Sequence, residues 1–563
     1  MSGQGISQIL FYCVALIALG YPLGMYMARI YMADRRGRIE LGVYRLIRVD
    51  GKKEQDWKSY GGTVIVFSIL FWGLLYAIQR MQGHLFLNPD HLKGVPAHLS
   101  LNTAASFITN TNWQFYGGEY TMSYLTQMAG LAVQNFVSAA VGMAVLAAVV
   151  RGIARRSAGT LGNFWVDLYR SLVYILLPLA VVVTVILVWQ GVPQTLSGHA
   201  TAHTLQGATQ PIARGPVASQ IAIKQLGTNG GGYYNSNSAV PFENPTGLSN
   251  FIELLAILLI PAAQVFMFGR MVLARRHAWM VFASMFVVFL LGVAVNLPAE
   301  QHGSQVLRSS GVNLTQGHGQ SGGNMSDKEV RFGQANSAAW TVATSDASNG
   351  SVNSGFDAQT PLGGAVPLVN LFLGEVIFGG VGTGLYGMFF YIIIAVFVAG
   401  LMVGRTPEWL GKKIEAREIK YAALGALFVP TMVLALAALS IVTKSGLASV
   451  YNSGVHGFTE TLYAYDSQSN NNGSAFAGFG LTNFSADFGT IAMLLGRFVP
   501  MLSALALGGA LARKRIVPAS AGTFRTDGAT FVVLLVGVIA LTAGLMIFPA
   551  LTLGPIVEGL MHQ

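Results

Sequence analysis

Residues Pro216–Gly232 read PVASQIAIKQLGTNGGG, a moderately apolar run of about ten residues that ends in Thr228-Asn229-Gly230. A bilayer core needs ~20 apolar residues as helix, so a run of ~10 is expected to be re-entrant or buried. The same phrase recurs three times. Ser100–Ile108 precedes Asn110-Thr111-Asn112, Gln334–Ala343 precedes Ser348-Asn349-Gly350, and Phe458–Tyr465 precedes Asn471-Asn472-Gly473. The tripeptides end at 112, 230, 350 and 473, a fourfold repeat of about 120 residues. One such tripeptide is an ordinary Asn/Gly turn. Four in register, each after a short apolar helix, imply one shared structure.

Outward from these phrases the chain is a membrane protein. Of 563 residues 53% are apolar and 10% charged, with 67 glycines; soluble domains carry about 25% charge. That composition excludes a soluble enzyme, a disordered chain and a nucleic-acid binder, which needs a hydrated basic face. Ten runs are expected to span: 9–29, 61–80, 125–150, 167–190, 249–274, 278–298, 386–404, 421–443, 486–511 and 529–552. The first, Ile9–Met27, lacks a basic leader and an A-x-A site and is read as a span, not a cleaved signal. Of 34 Lys and Arg, 25 fall in the loops after odd-numbered spans and at their helix ends; Arg35, Arg36 and Arg405 are among them. Eight fall on the other side and one, Arg497, within a span. The basic side is cytoplasmic by the positive-inside rule, so both termini and all four tripeptides face outward. The expected fold is an all-α polytopic protein of ten transmembrane helices, with four pseudo-symmetric helix–loop–helix repeats and one extra helix at each end. Its divisions are 1–60 (first helix and basic loop), 61–155, 156–277, 278–415 and 416–515 (repeats 1 to 4) and 516–563 (last helix).

Irregular backbone at membrane depth is tolerated only where it lines a cavity or is buried in protein. Four such segments about one axis present a ring of backbone carbonyls, which can replace the hydration shell of a monovalent cation. Glycine permits the backbone angles required, and Asn, Thr and Ser side chains can tie the loops down. The short helices aim their partly negative C-termini inward, favouring a cation. No tripeptide holds a carboxylate, which a divalent site usually requires. The expected ion site is therefore Asn110, Thr111, Asn112, Thr228, Asn229, Gly230, Ser348, Asn349, Gly350, Asn471, Asn472 and Gly473.

Charges inside spans are costly and usually functional. Glu253, Glu375 and Arg497 fall at similar distances after successive tripeptides. Glu375 and Arg497, opposite in sign, are expected to pair across the pore and serve a gate. The passage Gly374–Gly384, with Gly379, Gly380 and Gly382, is too glycine-rich for a good helix and is expected to break and obstruct the inner pore; the alternative is close helix packing through small residues. The chain has no G-x-x-x-x-G-K-[ST] phosphate loop and no Asp-Lys-Thr-Gly motif, and its largest cytoplasmic loop is too short for a nucleotide domain. Cys13 alone permits no internal disulfide and is read as apolar filler. The polar stretch Gly303–Gly333 is expected to be an exposed outer cap, and His302, His318 and His456 to be solvated.

On these residues the chain resembles the potassium-transporting A subunits of bacterial Kdp ATPases. The most specific stretches are Lys224–Gly232, Pro241–Thr246, Thr360–Gly364, Gly374–Gly387 and Asn471–Gly478, and the resemblance covers essentially the whole length. It implies that the ion is potassium, carried as transported substrate with no organic cofactor. It implies a selectivity filter at the four tripeptides, in a superfamily of potassium transporters built from four channel-like repeats. Implied partners are the Kdp B subunit (a P-type ATPase that supplies the energy), the C subunit and a small F subunit, with membrane lipid around them and no nucleic acid. The implied location is the bacterial inner membrane, and the implied function is high-affinity potassium uptake, with the ion passed toward the ATPase partner. Relatives often carry Cys where this chain has Asn349. The competing readings are a self-sufficient potassium channel or symporter, an intramembrane enzyme, and a purely structural scaffold.

Overall fold

The computed structural model describes residues 3–34, 37–317, 319–402, 404, 406–518 and 524–561. Arg35, Arg36, Arg405 and His318 lie outside the described residues.

All ten expected spans form helices, among them α1 (Gly3–Met32), α2 (Trp57–Met81), α4 (Val133–Ala154), α5 (Leu177–Trp189) and α7 (Gly247–Met271). The rest are α8 (Arg275–His302), α11 (Thr383–Met402), α12 (Ala416–Val442), α14 (Asn483–Ala512) and α15 (Ala529–Leu551). The four short runs are helices too: α3 (Ala97–Ile108), α6 (Val217–Leu226), α9 (Gly333–Asp346) and α13 (Gly454–Asn470). The stretch before span 7 resolves into α10 (Pro361–Phe372) followed by a buried loop. Strand is confined, among the described residues, to two small antiparallel hairpins, Ala200–His203 with Thr209–Ile212 and Glu408–Trp409 with Lys412–Lys413.

Burial separates the spans into two rings. Those that follow a tripeptide (α4, α7, α11, α14) are 61–89% buried along their most apolar windows, whereas the other six are 28–39% buried. The inner ring can pack tightly because its contact residues are small: a Cβ on Gly152 would overlap the Gly508 carbonyl, and one on Gly382 the Gly142 carbonyl. The outer spans show their apolar faces outward, as with Leu10, Phe11 and Val14 on α1 and Val181, Val182 and Val185 on α5, the pattern of helices solvated by lipid. The extra helix α1 lies along α7, with Gly24 against Ala263 and the Tyr12 hydroxyl donating to Leu254 O at 3.3 Å.

Two capping boxes repeat the same phrase at the start of an inner helix. Thr246 with Ser249 opens α7, and Thr482 with Ser485 opens α14, each Thr hydroxyl accepting the N3 amide at 3.1 Å. On the basic side Lys412 Nζ donates to Gly152 O (3.1 Å), Arg155 O (2.5 Å) and Leu511 O (2.8 Å), joining the C-terminal ends of α4 and α14. A cation there satisfies orphan helix carbonyls and the helix dipoles together. The expected outer cap is only partly exposed. Gly322, Gly323 and Asn324 are buried, and Lys328 makes a buried ion pair with Glu300 at 2.7 Å.

Candidate ion-binding site

Each short helix ends in the same manner. The amide of the tripeptide's middle residue donates to the carbonyl five residues earlier: Thr111 to Ser106 (2.9 Å), Asn229 to Lys224 (2.8 Å), Asn349 to Thr344 (3.2 Å) and Asn472 to Ser467 (2.8 Å). The first and third residues of each tripeptide then take positive φ: Asn110 67° and Asn112 54°, Thr228 47° and Gly230 81°, Ser348 51° and Gly350 85°, Asn471 63° and Gly473 101°. Left-handed backbone is costly for residues with a Cβ, about 1–2 kcal/mol each. Recurrence in four separate loops therefore marks a geometry that the surroundings impose.

The loops close into a ring. A Cβ on Gly230 would overlap the Asn349 carbonyl, one on Gly350 the Asn472 carbonyl, and one on Gly473 the Thr111 carbonyl. Side chains bridge every joint. Asn110 Nδ2 donates to Thr228 O at 2.7 Å, and Asn229 Nδ2 donates back to Asn110 Oδ1. Asn349 Nδ2 donates to Lys224 O at 3.2 Å, Ser348 Oγ to Asn471 O at 3.0 Å, and Asn472 Nδ2 to Thr344 O at 2.9 Å. Asn471 Nδ2 closes the ring onto Thr111 Oγ1 at 3.0 Å. Asn349 also accepts the Ser351 amide at 2.9 Å, as Asn472 accepts that of Ser474 at 3.0 Å. Asn349 thus ties its loop down with its side chain.

The middle residues Thr111, Asn229, Asn349 and Asn472 are fully buried, yet no described donor reaches their backbone carbonyls. Buried carbonyls are otherwise almost always paired. Four unpaired ones therefore recur at equivalent points of one closed ring of loops. Outside the ring, Asn112, Gly230, Gly350 and Gly473 line one cavity of about 590 Å³, rimmed by Trp113, Phe115 and Phe476. All twelve expected residues are therefore brought together.

The inner side of the ring is covered by the glycine-rich loop. Gly374, Glu375, Phe378, Gly379 and Gly382 all have positive φ, so the helix is broken as expected. The Val381 amide donates to Thr228 Oγ1 (2.9 Å), the Gly382 amide to Gln264 Oε1 (2.7 Å) and the Gly379 amide to Asp346 O (3.1 Å). A Cβ on Gly380 would press on Ser348. The loop is thereby stitched beneath the second and third tripeptides.

The expected Glu375–Arg497 ion pair is absent among the described residues. Glu375 Oε1 instead accepts Asn472 Nδ2 at 2.6 Å, and Arg497 Nη2 has no hydrogen-bond partner among those residues. Both side chains line one inner cavity of about 60 Å³ together with Asn471 and Tyr386. Spacing along the chain gives the two a common depth, but α14 turns the guanidinium toward Gly142 on α4, near which a Cβ would meet Nη2 at 3.2 Å. Glu253 accepts from Gln225 Nε2 (2.9 Å) and Ser238 Oγ (2.7 Å), behind the second tripeptide and away from the inner cavity.

Sequence reasoning missed a buried network on that same side. Lys224 Nζ pairs with Glu243 and donates to Asn237 Oδ1 at 2.6 Å, while Asn237 Nδ2 donates to Gly230 O at 2.6 Å. Its one available signal was Lys224 itself, a charge four residues before a tripeptide. Asp346 and Asp466, buried at the C-terminal ends of α9 and α13, were missed as well. His456, expected to be solvated, is instead held by Asp357 (3.0 Å) and Glu558 (2.9 Å).

Known proteins match this sequence over essentially its whole length. Residues 10–560 match the family model described as potassium-transporting ATPase A subunit. Proteins from Methylobacterium nodulans and Herpetosiphon aurantiacus, each named potassium-transporting ATPase potassium-binding subunit, are both 54% identical over 100% of this chain, covering 98% and 100% of their own lengths. The protein of the same name in Sorangium cellulosum is 53% identical over 100% of this chain and 99% of its own. The crystal structure of the potassium transporter TrkH from Vibrio parahaemolyticus aligns with a TM-score of 0.52 at 14% identity, covering 89% of this chain and 98% of that one. That likeness is one of fold. By full-length sequence match, the chain belongs to the family of potassium-transporting ATPase A subunits.

Proposed function

We propose that this chain binds and translocates potassium within an ATP-driven uptake complex, and that its four-loop ring is the selectivity filter. The observation that carries the reading is the quartet of buried, unpaired carbonyls on Thr111, Asn229, Asn349 and Asn472. A potassium ion entering from the outer cavity exchanges water for these oxygens. The ring of inter-loop hydrogen bonds holds them apart and resists collapse onto a smaller ion, which is the positional basis for discrimination. Asn349 contributes its backbone carbonyl, with its side chain as a tie.

The loop with Gly379, Gly380 and Gly382, together with Glu375 and Arg497, forms the inner gate in this reading. Because that loop is fastened to Thr228 and Gln264, ions leave the filter region toward an ATPase partner instead of crossing freely to the cytoplasm. The partners are the Kdp B, C and F subunits. The membrane is the bacterial inner membrane, with both termini outside, and the chain's parts are the four repeats flanked by the first and last helices. The chain hydrolyses nothing itself.

The test is reconstitution with and without the ATPase partner. Rubidium-86 uptake that requires both the partner and ATP, with potassium but not sodium raising the melting temperature of the complex, supports the reading. Uptake by this chain alone favours the self-sufficient channel and refutes the gate.

A further inference from the structure

A second cluster lies outside the filter on the outward side. His456 and Glu460 sit four residues apart on one face of α13, and Asp357 comes from the loop after the third tripeptide. One ligand atom from each lies within 4.8 Å of the others. His456 Nε2 is 3.0 Å from Asp357 Oδ1 and 3.9 Å from Glu460 Oε1. Tetrahedral zinc with bonds of about 2.0–2.1 Å sets its ligand atoms roughly 3.3 Å apart, so the three need only sub-ångström to ångström adjustment.

Three further observations point to a cation. Glu460 is fully buried; its Oε1 accepts from Asn452 Nδ2, while its Oε2 has no hydrogen-bond partner among the described residues, although Asp357 lies beside it. The other imidazole nitrogen, Nδ1, meets Glu558 Oε1 at 2.9 Å. This is the carboxylate–histidine arrangement that orients a metal-binding imidazole through its far nitrogen. Access is open as well, because Asp357, His456 and Glu558 line an outer cavity of about 900 Å³.

We propose that Asp357, His456 and Glu460 form a binding site for a divalent transition-metal ion of the zinc type, with Glu558 as the outer carboxylate that orients His456. An imidazole with two carboxylates suits zinc and its neighbours better than calcium or magnesium, which favour all-oxygen sets. The site joins three parts of the chain: the fourth filter helix, the loop leaving the third filter segment, and the C-terminal helix Val557–Met561. A bound ion ties the end of the last span to the filter's outer edge. Its role is therefore a clamp, independent of potassium coordination.

The experiment uses the assembled complex without a polyhistidine tag, dialysed against EDTA and then titrated with zinc chloride. Expected results are about one zinc per chain by elemental analysis after gel filtration and a raised melting temperature that calcium and magnesium do not reproduce. H456Q and D357N abolish both effects. Glu558→Gln weakens zinc about 10–100-fold, as loss of an outer-sphere carboxylate does. Unchanged potassium half-saturation in each variant shows that the filter is intact. No retained zinc in the wild-type complex, or zinc bound equally by H456Q, overturns the proposal. If a substitution prevents assembly, the wild-type zinc content alone decides in the same sense.

Discussion

Gly350→Ala is a direct perturbation of the ring. Gly350 has φ 85°, where an L side chain is strained, at about 1–2 kcal/mol. Its new Cβ would also fall well inside the 3.0 Å that real Cβ atoms keep from other heavy atoms, against the Asn472 carbonyl. That neighbour is backbone, held by the Asn472 amide to Ser467 O at 2.8 Å and by Asn472 Nδ2 to Thr344 O at 2.9 Å, so it moves aside only by weakening those bonds and leaving its place in the ring. Overpacking of this kind costs about 1–3 kcal/mol. The ion-bound state needs all four carbonyls in place, whereas the ion-free ring can relax, so most of the combined ~2–5 kcal/mol falls on binding. At 1.4 kcal/mol per tenfold, that is about a 30-fold to several-thousand-fold loss of potassium affinity. Potassium-stimulated ATP hydrolysis by the reconstituted complex reads it as half-saturation. Gly230→Ala and Gly473→Ala belong to the same class. Gly537→Ala on α15, where a Cβ meets nothing within 4 Å, is the control. Asn112, which already carries a Cβ at φ 54°, is expected to tolerate alanine within about fivefold, losing only its bond to Asn135. A normally assembled Gly350→Ala complex with half-saturation within twofold of wild type would refute the reasoning.

Lys224→Met strands the fully buried Glu243 carboxylate and should cost about 3–5 kcal/mol, while Lys224→Met with Glu243→Leu recovers much of it; thermal melts of the complex distinguish the two. Swapping Glu375→Arg with Arg497→Glu should not restore potassium uptake, because Asn472 and not Arg497 holds the Glu375 carboxylate; restored uptake would show that the two do pair. Gln264→Leu removes the acceptor of the Gly382 amide, about 1 kcal/mol, and should raise rubidium leak through the uncoupled complex about fivefold; an unchanged leak argues that the loop is not the barrier. Lys412→Met leaves the carbonyls of Gly152 and Arg155 without their donor and should lower the melting temperature without moving potassium half-saturation.

The ten spans and four short helices were legible because length and apolarity along one segment decide them, and the tripeptides because the same small polar residues returned at a fixed interval. Their likeness extends to the backbone, where the first and third members of each turn left-handed. What depended on direction around a helix was not legible. Glu375 and Arg497 were placed at one depth, yet depth does not fix direction: Glu375 falls in the broken loop at φ 49°, and the guanidinium on α14 faces α4. Lys224 counted as one more outward basic residue because hydropathy does not register a charge folded into a re-entrant helix and neutralised by Glu243. His456 looked solvated because its partners, Asp357 and Glu558, lie about 100 residues away on either side. The Thr246–Ser249 and Thr482–Ser485 caps were present in the sequence as a T-x-x-S repeat, a second marker of the internal symmetry.

The most direct measurement is the position of a heavy alkali ion. In the purified complex soaked in rubidium or thallium, anomalous diffraction should give a strong peak at the centre of the ring, within coordination distance of the carbonyls of Thr111, Asn229, Asn349 and Asn472, and soaking in sodium should leave it unfilled. A well-ordered ring with no peak there, or a principal peak coordinated by other groups, would contradict the account.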